Sequence, residues 1–174
     1  MQTETKQVNI TDEIVAEMDQ EAVTTKRLFE IIPEDKLDWR PHPKAKSLAE
    51  LAMHVARLPG VVSELGSQKS AQASDIKPDP TPASRAEILE TFSASLKAAK
   101  DIVSNTPSAD IYSDWTLMDG DKQLVTMPRN AFWRTVLLNH NYHHRGQLST
   151  YLRQLNVPLP SIYGPTADTD PFRT

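Results

Sequence analysis

Cysteine is absent from the 174-residue chain, and with it go disulfides, thiolate nucleophiles and cysteine-ligated zinc or iron–sulfur centres. A metal held by side chains would have to use histidine, aspartate or glutamate. Glycine is scarce, 5 residues against 13 prolines, so stiff connectors are expected. No run of about eighteen apolar residues occurs to cross a membrane. The opening stretch MQTETKQVNITDEIV lacks the apolar core of a signal peptide, and the cytoplasm is the expected location. A positive excess is missing too. The net charge of -4 and the pI near 5.7 provide no broad field for phosphate backbones, so nucleic acid is not an expected partner.

What remains is a soluble composition of a length that suits one domain over residues 1–174. The pattern predicts four long helices. The first runs through NITDEIVAEMDQEAVTTKRLFEII, with Thr11 as N-cap, Ile10 stapling on Val15, and Pro33 as the stop. Trp39, in the proline-rich segment that follows, is expected to anchor that segment on the core. SLAE, from Ser47 to Glu50, is a capping box opening the second helix, which Pro59 is expected to kink. Residues 68–82 read as a surface connector, and Thr81–Pro82 as the start of a third helix with Ile88, Leu89, Phe92, Leu96, Ala99 and Val103 on its buried stripe. Asp119–Gly120, between two short runs of strand formers, predicts a small hairpin that must lean on the helices. The stretch from Pro128 to Asn156 predicts a fourth helix, followed by a proline-punctuated tail over residues 156–174. The fold class is therefore all-α, a four-helix bundle with a β-hairpin between its third and fourth helices.

The fourth helix carries His140, His143 and His144, three of the five histidines. At about 100° per residue with His140 at zero, Trp133 and Tyr151 fall near about 20° and Leu137 and Leu155 near about 60°, which marks the core-facing stripe. His144 lies inside it at about 40°, whereas His143 lies near about −60°, at the rim. Pairing His140 with His143 is sterically possible, but the wheel favours His140 with His144, whose rings project one above the other. His54 on the second helix follows Leu51 by three and precedes Leu58 by four, which places it on an inward row as well. Three neutral imidazoles suit zinc, nickel, copper or iron and leave a position for water or a substrate atom. Glu50, one turn before His54, is either an orienting group or only the capping residue. His42 between two prolines has a solvated or turn-stabilising role. Arg145 and Gln147 point in less inward directions, towards the rim or solvent. Gly146 inside the helix suggests a close helix approach or access to the site.

The segments LDWRPHPKAKSLAELAMHVARLPG and NHNYHHRGQLSTYLRQLNVPLPSIYGPTAD resemble the DinB-like superfamily, which includes YfiT-type metal-dependent hydrolases. The resemblance spans nearly the whole chain. It implies an up-down-down-up four-helix bundle, a divalent metal, usually nickel or zinc, held by His54, His140 and His144, and frequent homodimers. Members with assigned activity are similar in chemistry to thiol S-transferases that use a low-molecular-weight thiol and to a thiol-dependent maleylpyruvate isomerase. The expected function is thus a metal-dependent enzyme that activates water or such a thiol against a small-molecule substrate. The alternative is a non-catalytic metal- or ligand-binding stress-response protein.

Overall fold

Local chemistry sets where the helices begin. In the computed structural model, which describes residues 9–173, Asn9 caps α1 (Ile10–Glu30), its side-chain oxygen accepting from the Thr11 N–H at 3.4 Å. Thr11, the expected cap, is instead buried in the first turn, since asparagine is the stronger cap and takes Ile10 into the helix behind it. Residues 1–8, part of the segment read for a signal peptide, and Thr174 lie outside the described residues. The Ser47–Glu50 box opens α2 (Leu48–Ser67) as its spacing predicts: the Ser47 N–H donates to Glu50 Oε2 at 2.6 Å and the Glu50 N–H to Ser47 Oγ at 3.1 Å. The third helix, α3 (Arg85–Ser104), starts later than Thr81–Pro82 predicts. Ser84 accepts from the Glu87 N–H at 3.2 Å, and Glu87 accepts from the Ala83 N–H at 2.7 Å. SRAE repeats the spacing of SLAE and wins because it satisfies two backbone donors.

The connector after α2 contains β1 (Ser70–Gln72), which the sequence reading leaves as loop. A one-turn helix, α4 (Ser108–Ile111), precedes the hairpin of β2 (Asp114–Asp119) and β3 (Lys122–Pro128). β1 pairs parallel to β2, and β2 antiparallel to β3, giving a three-stranded sheet in place of the expected two strands. Gly120 turns the hairpin at φ 58°, a left-handed conformation that glycine adopts without a Cβ penalty. The last helix is not regular throughout. It is a rod of α5 (Arg129–Phe132), a π-helical stretch Trp133–Asn139, and α6 (His140–Gln154). Such widened turns change the angular phase of residues before His140 relative to those after it, and often occur beside functional sites. Asn156, at φ 58°, ends the rod.

Two apolar clusters reveal the direction of each helix. One joins Leu28 and Phe29 late in α1, and Ile32 just beyond it, with Leu48–Ala56 early in α2, Ile88 and Phe92 early in α3, and Leu148 and Leu152 late in α6. The other joins Ile14 and Met18 early in α1 with Leu58 and Val62 late in α2, Ala99 and Val103 late in α3, and Phe132–Leu138 early in the rod. Thus α2 and α3 run parallel to each other and antiparallel to α1 and the rod, the up-down-down-up arrangement. Parallel neighbours need a long crossover, which the segment carrying β1 supplies. The sheet covers the second cluster: Trp115 stacks on Phe132 at 3.8 Å between ring centroids and donates from Nε1 to the Leu65 carbonyl at 3.0 Å. Trp39, by contrast, is only half-buried, edge-on to Tyr151. No helix of the described residues is long and apolar enough to cross a membrane.

The rod is held close to α2 by two features with little local signal. At Gly66 an added Cβ would lie 2.6 Å from Trp133 Nε1 and 2.9 Å from a Phe132 ring carbon, so glycine permits this approach. Buried Arg129 donates to the carbonyls of Gly66 at 2.6 Å and Gln68 at 3.0 Å, placing a cation at the negative end of α2.

Pro59 does not end α2, yet it has no N–H to offer the Val55 carbonyl four residues earlier. The side chain of buried Asn141 supplies that donor, at 3.1 Å, from the rod. On the opposite side, Ser95 Oγ of α3 donates to the Arg57 carbonyl at 3.0 Å and accepts from the Gly60 N–H at 2.8 Å. The proline thus converts an internal helix bond into bonds that register α2 against its neighbours. Replacing Asn141 by Ala is expected to cost about 1–3 kcal/mol, the penalty for a buried unpaired group. In that background Pro59→Ala restores an N–H to Val55 and recovers part of the loss; urea unfolding of the four-member cycle measures it. Strict additivity would contradict the compensation.

Candidate metal centre

His54 stands in the middle of α2, near the waist where the two clusters meet, and His140 and His144 stand on the first turns of α6. Their spacing in the rod and the register of α2 bring all three together: one ring nitrogen from each lies within 4.8 Å of the others. Ring centroids are 4.5 Å apart for His54–His144 and His140–His144, and 5.4 Å for His54–His140. The Nε2 atoms of His140 and His144 approach to 2.7 Å. All three rings are half-buried, shielded from bulk solvent but reachable from it.

The outward nitrogens have partners of their own. His54 Nδ1 donates to Asp79 Oδ2 at 2.6 Å, a direction that follows because a carboxylate can only accept. His144 Nδ1 donates to Gln147 Oε1 at 2.8 Å. The Val136 backbone, one turn before His140, acts on that ring in the opposite sense to burial, favouring its protonated form. Nδ1 of His54 and Nδ1 of His144 are thus engaged outward, and one nitrogen of each of the three rings is left in the cluster. Ring nitrogens gathered this closely can share a cation in place of the hydrogen bond between His140 and His144. The donor set therefore fits a divalent metal, with outer nitrogens of His54 and His144 bonded as in metal-ligating histidines. Burial pushes His144 down to about 4, and the neighbouring His54, His140 and His143 act in the same direction against the Gln147 bond. His140 is lowered as well, first by burial and then by His54 and His143. Both are consequently in the ligating, neutral form at neutral pH.

The group numbers three among the described residues, which would leave a metal with open positions. A recess lined by Lys46, Glu50, Ile76, Lys77, Pro78 and Asp79 opens beside His54. Its carboxylates are already engaged: Glu50 with the Ser47 N–H and Arg40, and Asp79 with His54 and Arg57. Burial raises the Asp79 pKa, but the His54 bond and the charges of His54, Arg57 and Lys46 outweigh it, and the net shift is downward. Among the described residues Lys46 and Lys77 have no carboxylate partner, so the rim of the recess is positive.

Residues 1–170 match the DinB family. The chain belongs to that family. It is 24% identical over 149 residues to the uncharacterized protein YrdA of Bacillus subtilis, an alignment covering 85% of this chain and 84% of YrdA. Among solved structures it is similar to a DinB-like protein from Bacillus cereus, with 21% identity, a TM-score of 0.68 and coverage of 86% of this chain and 95% of that one. It is similar also to Bacillus subtilis YfiT, described as a probable metal-dependent hydrolase with an unusual four-helix bundle topology. There the identity is 12% and the TM-score 0.62, with 90% of this chain and 94% of YfiT covered. At such identities the structural likeness establishes the DinB fold, not the reaction.

Several site expectations are met and others corrected. His140 and His144 lie on one face as the wheel predicts, His54 meets them from α2, and exposed His143 borders the group, accepting from Gln147 Nε2 at 3.2 Å. His42 is a turn residue, its Nδ1 accepting from the Lys44 N–H at 3.1 Å. Glu50 is the capping residue, not the partner of His54. That partner is Asp79, between Pro78 and Pro80 in the connector, where nothing in the local sequence distinguishes it from a solvated loop acid. Gly146 meets no atom within 4 Å where a Cβ would stand, so no close helix approach requires it. Arg145 is the largest correction: instead of facing the rim or solvent, it is 1% exposed and pairs with Glu21 of α1 at 2.6 Å. Thr25 Oγ1 and the Glu21 carbonyl accept from it at 3.2 Å, the Tyr163 hydroxyl is a further partner, and the rings of Tyr142 and Tyr163 lie 5.1 and 5.0 Å away.

Proposed function

We propose that this DinB-family chain is a metal-dependent enzyme in which His54, His140 and His144 hold a divalent ion, nickel or zinc, and that it acts on a small anionic substrate. The observation that carries this reading is the convergence of one ring nitrogen from each of the three histidines to within 4.8 Å, with Nδ1 of His54 and Nδ1 of His144 bonded outward. A bound ion would supply Lewis acidity, lowering the pKa of water for hydrolysis or of a low-molecular-weight thiol for transfer. The chain's own residues do the rest. Asp79 and Gln147 hold Nδ1 of His54 and Nδ1 of His144 outward, leaving the opposite nitrogen of each ring for the ion. Lys46 and Lys77 on the recess favour an anionic group close to the ligands.

Three protein ligands with a recess beside them suit catalysis better than a closed structural site. The apolar clusters lie to either side of the histidines and do not depend on them for packing. Chelation is accordingly expected to remove the metal and abolish turnover while the far-UV circular dichroism is retained. The experiment assays ester hydrolysis and thiol transfer with chelated protein, with and without zinc or nickel added back. Activity restored by metal alone selects the hydrolase, and activity that also requires an added thiol selects the transferase. Turnover indifferent to chelation would overturn the reading, and unfolding on chelation would favour a structural metal in a non-catalytic protein.

A further inference from the structure

His54 is the ligand that the last rod cannot place. His140 and His144 share one helical face, so helix geometry sets their relation. His54 comes from another helix, and both its ring angle and its protonated nitrogen must be fixed from outside. Asp79 is built to do this. Its Oδ2 accepts from His54 Nδ1 at 2.6 Å, and its Oδ1 accepts from Arg57 Nη1 at 2.8 Å. The carboxylate side chain is only 16% exposed. Arg57 lies three residues beyond His54, on the adjoining turn of α2, so both oxygens are clamped from a single helix face. Pro78 and Pro80 restrict the backbone on either side. The same four-residue segment, Ile76–Asp79, forms a wall of the recess beside His54.

The geometry points to Asp79 as the positioning residue of the metal centre: a non-ligand carboxylate, delivered by the α2–α3 crossover, that holds His54 with its Nε2 lone pair aimed at the ion. This role rests on the reading that the three histidines bind metal. Asp79 leaves the ion's open positions free, since its two oxygens are taken up by His54 Nδ1 and by Arg57. Arg57 acts one step further out, preventing the carboxylate from rotating off the ring. A merely structural role, that of fastening the crossover to α2, would affect stability and leave the metal unchanged. The two roles are therefore separable by measurement.

The test measures cobalt(II) and zinc(II) affinity by competition with a chromophoric chelator, together with the visible spectrum of the cobalt form, for the full chain and its variants. Asp79→Ala is expected to lose about 10–100-fold in affinity and to alter the cobalt spectrum. Asp79→Asn, nearly isosteric, keeps an acceptor but loses the charge, and is expected to weaken binding by about tenfold. Arg57→Gln leaves the ring bond in place and should lose less than Asp79→Ala. Affinity within about twofold of wild type and an unaltered spectrum in Asp79→Asn overturn the role, whatever happens to the melting temperature. If Asp79→Ala does not fold, Asp79→Asn decides alone. A wild-type chain that binds neither ion overturns the metal reading and this role with it; binding that survives Asp79→Asn unchanged overturns only the role of Asp79.

Discussion

Replacing His144 by Ala is expected to abolish stoichiometric metal binding, with affinity falling by more than the roughly 10–100-fold that loss of an outer partner produces. The ring supplies one of the three nitrogens that converge among the described residues, and its removal would leave a two-point site open to water. The metal-free fold should barely notice. His144 is half-buried, and apart from His140 its hydrogen-bond partner is Gln147, itself on the surface. A stability change within about 0.5–1 kcal/mol is therefore expected for the apo protein. His143→Ala is the matched control: it removes the neighbouring imidazole from the rim and should leave metal content intact. Elemental analysis after exhaustive dialysis, paired with thermal unfolding of the apo forms, reads both quantities. Full metal occupancy in His144→Ala would remove that residue from the ligand set.

Arg145→Met is expected to have the opposite signature, a large loss of stability from a residue that ligates nothing. Arg145 is buried to 1% exposure, and its partner Glu21 retains only 15% exposure of its side chain. Deleting one member of such a pair strands the other charge and costs about 3–5 kcal/mol. For a chain of this length that corresponds to a melting temperature lower by on the order of 10 °C. Removing both charges, with Arg145→Met and Glu21→Gln together, should cost less than Arg145→Met alone because no unpaired ion remains. Equal losses in the single and double variants would show that the Arg145 packing against Tyr142 and Tyr163, not its charge, holds the helices. Arg145 follows His144 in the chain, so anchoring it on α1 also turns the preceding histidine towards α2. Metal affinity in Arg145→Met is accordingly expected to fall as well, though by less than in His144→Ala.

Those two residues, neighbours in the chain, illustrate what could be read without coordinates. His144 was legible because its meaning is local: a four-residue separation from His140 and a phase close to that of Leu148 and Tyr151, on the same regular helix, put it on the core face. Arg145 was not, because a wheel marks one apolar stripe while a bundle helix packs against more than one neighbour. A polar side chain directed at the second neighbour looks solvated until its partner, Glu21, is known. Asp79 has the same character, since its place beside His54 depends on the path of the whole crossover. β1 was missed because three residues in a polar connector become a strand only when β2 lies alongside.

The sequence by itself determined the elements whose hydrogen bonds close within a few residues. These are the Ser47–Glu50 cap, the Gly120 turn, the amphipathic helices and hence the four-helix class, and the presentation of His140 and His144 on one face. It also determined, through the absence of cysteine, that only imidazoles and carboxylates were available as ligands. Tertiary structure alone decided the convergence of His54 on that pair, the selection of Asp79 as its orienting group, the burial of Arg145, and the use of Asn141 to satisfy the carbonyl freed by Pro59. The physical reason is the range of the interactions. Periodicity and capping are properties of neighbouring residues, whereas the partner of a buried charge or an orphaned carbonyl is chosen by chain topology from anywhere in the sequence.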